Sequence, residues 1–214
     1  MRRGYGRYPN WIAPPVRLPG FPVYRNRSLT AGEMSKRAGG KRMPVVPVPA
    51  SPAPPLDLPL VGGGRFRLAD QHPATFTLVV FYRGWHCPIC RGYLAQLDRA
   101  VQDLGELGVS VVAVSGDTQE RASQSVEEWH LSHLALAYGQ PVNSMRNWGL
   151  FVSGGVKEPE PALFAEPGVF LVRPDGTIYM VILNSMPAAR PRVDDLVDAI
   201  SFFVAKDYPA RGEA

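Results

Sequence analysis

Cys87 and Cys90 are the only two cysteines in the 214-residue chain, and they stand at C-x-x-C spacing. The nucleophilic form of cysteine is the thiolate, and an ordinary thiol near pKa 8.5 is mostly protonated at neutral pH. The unpaired N–H groups at a helix N-terminus stabilise negative sulfur placed there. A C-x-x-C at such a point is expected to put one sulfur at an exposed lip and the other about one turn inward. The pair can then close to a disulfide and reopen by thiolate exchange. A structural zinc site is the competing chemistry, with His86 and His72 as the nominal extra ligands. Zinc needs four ligands, there is no second cysteine pair, and His86 adjoins Cys87 too closely for good geometry.

The elements around the pair are those such chemistry needs. Phe76–Tyr82 (F-T-L-V-V-F-Y) is an apolar run of strand length, rich in β-branched and aromatic residues. Arg83, Gly84, Trp85 and His86 break it. From Pro88 to about Leu107 the apolar positions Ile89, Tyr93, Leu94, Leu97 and Val101 recur at helical spacing. Pro88 suits the first turn, where its missing N–H has no partner in any case, and Gly105 and Gly108 close the helix.

Upstream, Leu56–Leu60 and Arg65–Leu68 flank Gly62-Gly63-Gly64 and predict an irregular hairpin. Downstream, Val109–Ser115 is a second buried-strand run. Gly116-Asp117-Thr118 carries helix-capping chemistry before a helix over Glu120–His130. Leu134–Ala137 predicts a short strand, Val142–Trp148 a short helix, and residues 153–167 a loop. Gly168–Val172 and Thr177–Leu183 flank Pro174-Asp175-Gly176, a tight-turn signal for an antiparallel hairpin. Val193–Val204 is an amphipathic terminal helix. Strands alternating with crossover helices predict a largely parallel sheet covered on both faces, with the hairpin adding antiparallel edge strands.

Charge divides the chain unevenly. Residues 1–43 hold ten of the 23 Lys and Arg and one acid, Glu33, so the overall charge of +4 conceals a basic tail and an acidic body. Eleven of the 22 prolines fall within residues 1–55. We expect residues 1–53 to be a basic, proline-rich, disordered segment, residues 54–208 the folded domain, and residues 209–214 a tail. No secretory signal or membrane span is predicted, and no specific nucleic-acid partner. Two cysteines three apart close almost no loop, so a reducing, cytoplasmic location is expected.

Taken together, strand, turn, W-x-C-x-x-C, helix, later hairpin preceded by Pro167, and terminal helix resemble the thioredoxin fold. The hairpin at 56–68, Phe81-Tyr82 at the strand end, and V-V-A-V-S-G-D at 111–117 are similar to the alkyl hydroperoxide reductase/thiol-specific antioxidant (peroxiredoxin-like) family. The resemblance covers about residues 54–206. It implies an α/β protein of three-layer α/β/α architecture, with a central mixed sheet and an N-terminal β-hairpin extension. It also implies an oxidoreductase that needs no cofactor, acting on a peroxide or a protein disulfide. The reductant would be thioredoxin or a low-molecular-weight thiol.

Against the family pattern F-Y-P-x-x-x-T-x-x-C, Cys90 falls on the peroxidatic cysteine, Cys87 on the threonine and Arg83 on the proline. Where the family keeps an arginine, three residues before Phe170, this chain has Pro167, which resembles the cis-proline of thioredoxins. Two orders of attack follow: Cys87 first in the thioredoxin manner, or Cys90 first in the peroxidase manner, both closing the same Cys87–Cys90 disulfide. Arg83, Trp85, His86 and Pro167 are the expected supporting residues. Arg83 would stabilise a thiolate or peroxide oxygen, His86 would tune Cys87, Trp85 would shield the site, and a cis Pro167 would free a carbonyl for substrate. Asp117 is expected to cap a helix, and His130 and His133 to lie at the surface. The reading from a different class is a non-enzymatic redox sensor or interaction module that docks through its basic tail.

Overall fold

The computed structural model describes residues 46–214; the greater part of the basic segment lies outside the described residues. Among the described residues nine strands and four α-helices follow in order, and a five-stranded mixed sheet forms the centre. The short strands β1 (Asp57–Pro59) and β2 (Arg65–Arg67) pair antiparallel around the glycine turn, as expected. Then come β3 (Phe76–Phe81), α1 (Pro88–Glu106), β4 (Val109–Val114), α2 (Gln119–Trp129), β5 (Ala135–Ala137) and α3 (Val142–Asn147). The remaining elements are β6 (Val152–Gly154), β7 (Leu163–Ala165), β8 (Gly168–Val172), β9 (Ile178–Leu183) and α4 (Val193–Lys206).

The sheet order is β5-β4-β3-β8-β9. Strand β3 runs parallel to β4, which runs parallel to β5, while β8 is antiparallel to β3 and β9 antiparallel to β8. Thus β3 sits in the middle, and all six of its residues are buried. Alternation splits its side chains between two cores, as the two-residue period of a strand requires. Leu78 and Val80 pack with Leu94 and Leu97 of α1 and Leu196 and Ile200 of α4. Val79 and Phe81 face the other way, toward Met145 and Trp148 at α3 and toward Leu58 and Phe66 of the hairpin. Helices on both faces give the three-layer arrangement. Placing β3 at the centre fixes its end from both sides.

Two expectations need correction. Residues 153–167 are not simply a loop: β6 and β7 within this stretch pair antiparallel, with Val152 opposite Ala165. The short, glycine- and proline-rich sequence offers no run long enough to signal a strand. Residues 46–53, expected to belong to the tail, are bound to the sheet hairpin. The Ala50 N–H donates to Ile178 O at 2.8 Å, and the Ala53 N–H to Gly176 O at 2.9 Å. Backbone pairing of this kind is available to any non-proline residue and leaves no compositional trace. At the other end Ala210 is buried, and Tyr179 Oη donates to Tyr208 O at 2.7 Å.

Trp148, fully buried, packs on Phe81 and Phe170 with ring centroids 5.1 and 4.9 Å away. Its indole N–H is buried without an acceptor. Trp148→Ala should therefore cost about 3–5 kcal/mol in urea unfolding, the range for deleting a large buried aromatic. Trp148→Phe, which keeps an aromatic ring in the site and removes the unpaired N–H, should cost less than Trp148→Ala in the same measurement.

Candidate active site

The turn between β3 and α1 is held from beneath by one carboxylate. Asp117, buried at the end of β4, accepts the Trp85 N–H at 2.8 Å. Gly84 crosses it at φ 131°, and a Cβ there would lie 2.6 Å from Asp117 Oδ1. Only glycine tolerates both the backbone angle and the approach. Burial raises the Asp117 pKa above the ordinary carboxylate value. Asp117 thus positions the cysteine turn, and Thr118, whose Oγ1 accepts the Arg121 N–H at 3.4 Å, caps α2 instead. The capping expectation moves by one residue.

Cys87 is the N-cap of α1, and its Sγ accepts the Cys90 N–H at 3.2 Å. Both cysteines are in the free thiol state, and neither lies at an exposed lip: Cys87 is 1% and Cys90 0% exposed. The pair divides its protons unequally. The Cys87 pKa is lowered to about 6, first by the Cys90 thiol donating to it, then by the Cys90 N–H and the nearby Arg83 guanidinium; burial opposes all three. The Cys90 pKa is raised well above the ordinary thiol, first by burial and then by donating to Cys87. At neutral pH the negative charge sits on Cys87 and the proton on Cys90.

Arg83 is more constrained than a surface arginine. Its guanidinium meets Glu160 Oε1 at 3.4 Å and Glu166 Oε2 at 3.3 Å, and it lies 4.6 Å from the centroid of the Phe164 ring. Glu166 Oε1 also accepts from Ser153 Oγ at 2.6 Å, so the β6–β7 hairpin is tied to the cysteine turn. His86 rests edge-on against Phe164 at 4.8 Å, and both ring nitrogens are buried without partners. Burial, followed by the charge of Arg83, lowers its pKa to about 4. His86 is therefore neutral at working pH and does not tune Cys87 by charge. Between about pH 6.5 and 4 the unfolded chain therefore binds a proton at His86 that the folded chain does not, so stability falls as the pH is lowered across that window.

Trp85 is partly buried against the α1-side core, and its Nε1–H donates to Glu128 Oε2 at 2.9 Å. Pro167 is buried between β7 and β8, but its peptide bond is trans; the cis bond among the described residues is Glu158–Pro159. The Pro167 carbonyl accepts the Asn184 N–H at 2.9 Å, extending the β8–β9 ladder by one rung. A chain that enters the ladder extended has no use for the cis bend. Among the described residues, no cluster of three His, Cys, Asp or Glu is arranged to hold a metal ion, and no helix is long and apolar enough to cross a membrane.

The sequence reading missed Glu160, Glu166, Phe164 and Arg190. The Arg190 Nη2 stands 3.8 Å from Cys90 Sγ, with its guanidinium 4.3 Å over the Tyr93 ring. None of the four sits near the cysteines in sequence, and none belongs to a motif.

A model of the AhpC/TSA family matches residues 49–181, more than half of the chain. The chain belongs to the AhpC/TSA family. As a member it is a peroxiredoxin-like redoxin with thiol peroxidase-like oxidoreductase activity. No curated protein matches it. Among solved structures, peroxidoxin BcpB from Mycobacterium tuberculosis is similar at 15% identity and TM-score 0.60, covering 76% of this chain and 99% of that one. AhpC from Enterococcus faecalis is similar at 19% identity and TM-score 0.61, covering 75% and 96%. A peroxiredoxin-like protein from Aquifex aeolicus is similar at 16% identity and TM-score 0.60, covering 72% and 86%. At these identities the structures establish the thioredoxin-like fold.

The charge assignment can be read directly. Thiolate absorbance at 240 nm, or the rate of iodoacetamide alkylation, should titrate in the reduced protein with a midpoint near pH 6. Arg83→Met should move that midpoint upward by about one pH unit, the scale of losing a neighbouring opposite charge. His86→Phe should leave it within about 0.3, because a neutral ring contributes no charge.

Proposed function

We propose that the protein is a dithiol thiol peroxidase in which Cys87 attacks a small peroxide and Cys90 resolves the product. The observation that carries this is the placement of Cys87 at the N-cap of α1, where its Sγ accepts the Cys90 N–H at 3.2 Å; in keeping with it the Cys87 pKa is lowered and the Cys90 pKa raised. In the first step the Cys87 thiolate takes the terminal oxygen of the peroxide. The O–O bond breaks, an S–O bond forms, and the leaving alkoxide or hydroxide is protonated by water. In the second step Cys90 sulfur attacks Cys87 sulfur, forming the disulfide and releasing the oxygen as water. An external dithiol or two low-molecular-weight thiols then return both sulfurs to the reduced state by exchange.

Burial favours the peroxide over a protein disulfide as oxidant. Cys87 is 1% exposed, which denies the open approach that in-line exchange with a protein disulfide needs, whereas a peroxide is a molecule of a few atoms. The trans peptide bond at Pro167 leaves the thioredoxin-type peptide clamp without support.

Single cysteine variants separate the orders of attack. After one equivalent of hydrogen peroxide, Cys90→Ser should accumulate a dimedone-reactive sulfenic acid on Cys87. Cys87→Ser should lose peroxide reactivity by at least about 100-fold, as expected for removing the activated nucleophile. Sulfenic acid on Cys90 in Cys87→Ser, formed at the wild-type rate, would reverse the order. Failure of the wild-type protein to form its disulfide with peroxide, while a model disulfide does so, would overturn the choice of oxidant.

A further inference from the structure

Arg190 belongs to the link between β9 and α4, one hundred residues along the chain from Cys90. Its guanidinium is fixed by neutral groups. Nε donates to the Pro187 carbonyl at 3.1 Å, and the plane lies over the Tyr93 ring at 4.3 Å. The link is itself tied down, since Asn184 Nδ2 donates to the carbonyls of Ala188 and Ala189 at 3.4 and 3.0 Å. Nη2 points to Cys90 Sγ at 3.8 Å, and Nη1 is buried with no acceptor. Among the described residues no carboxylate forms an ion pair with Arg190, in contrast to Arg83, which has two. Holding a half-buried cation without a counter-ion is costly, and the cost falls when an anion forms beside it.

The atom able to become that anion is Cys90 Sγ. In the reduced pair it keeps its proton first because it is buried, and then because Cys87 already bears the negative charge and accepts from it. Once Cys87 is oxidised to a neutral sulfenic acid, the opposition from Cys87 disappears, burial remains, and the guanidinium 3.8 Å away is the charge placed to offset it. We propose that Arg190 is the catalytic cation of disulfide closure, stabilising Cys90 as the thiolate that attacks the oxidised Cys87 sulfur. This role rests on the order of attack argued above. Arginine stays charged throughout, so the proton leaving Cys90 goes to the departing oxygen. The S–S bond forms, the Cys87 S–O bond breaks, and water is released. The two sulfurs thus have a cation each: Arg83 serves peroxide attack and Arg190 serves resolution.

Single-turnover stopped-flow of the reduced full chain with hydrogen peroxide resolves the two steps. Tryptophan fluorescence reports closure, and dimedone quenching with mass spectrometry counts the sulfenic acid. Arg190→Met should leave sulfenic acid formation within about threefold and slow closure at least about tenfold at pH 7, the loss expected for one charge-assisted contact. The deficit should shrink toward pH 9, where hydroxide removes the Cys90 proton unaided, and Arg190→Lys should recover part of the rate. Unchanged closure, or a deficit equal at pH 7 and pH 9, would overturn the role, the second result indicating misplacement of the loop. Should Arg190→Met fail to fold, Arg190→Lys and Arg190→Gln carry the same comparison of rates and pH profiles. Sulfenic acid on Cys90 in Cys87→Ser would instead remove the order of attack on which the role rests. With Cys87 sulfenic acid present in Cys90→Ser, unchanged closure in Arg190→Met counts against Arg190 alone.

Discussion

One proton shared between two buried sulfurs governs the site. The Cys90 thiol donates to Cys87 Sγ and the Cys90 N–H at the start of α1 points at the same sulfur, and together these contacts lower the Cys87 pKa. Remove the helix and the two thiols become equivalent groups near their ordinary pKa. Much of the fold can be understood as the means of holding that N–H and that sulfur 3.2 Å apart. Strand β3 is locked between β4 and β8; Asp117 and Gly84 shape the turn; Leu94 and Leu97 anchor the helix to the sheet.

The two arginines show how the same side chain serves different ends. Arg83 is enclosed by Glu160, Glu166 and Phe164, so much of its charge is balanced and its position is rigid. It acts on Cys87 as one contributor among several, behind the hydrogen bonds from Cys90. Arg190 has no acid partner among the described residues and leans on an aromatic ring and a carbonyl. A cation held in that way responds most strongly when a negative charge appears nearby. Its position beside Cys90 suits a step in which the second sulfur must ionise.

The β6–β7 hairpin is the part of the molecule where structure and chemistry meet without a sequence signal. Ser153, Glu160 and Phe164 come from it or its connecting loop and Glu166 directly follows it, and Glu160, Phe164 and Glu166 surround Arg83 while His86 rests on Phe164. The family relation extends over residues 49–181 and so includes this excursion. Similar solved structures share the fold at 15–19% identity. That is compatible with an architecture set by buried alternation along the strands, where many apolar residues serve equally well.

Sequence was sufficient for everything carried by local periodicity. The apolar run at Phe76–Phe81, the helical spacing from Pro88, the glycine hairpin and the Pro-Asp-Gly turn each bury or bend the chain through residues close together. The dithiol was legible for the same reason: Cys87 and Cys90 lie within one helical turn, at the junction of two predicted elements. Tertiary structure alone decided the rest. His86 is neutral because of burial against Phe164, a neighbour 78 positions away that no spacing rule links to it. Pro167 is trans because its strand enters the β8–β9 ladder extended. Arg190 reaches Cys90 only because the link after β9 returns to the mouth of α1. A pKa depends on burial and on charges within a few ångströms, and in a folded chain most of those come from distant sequence.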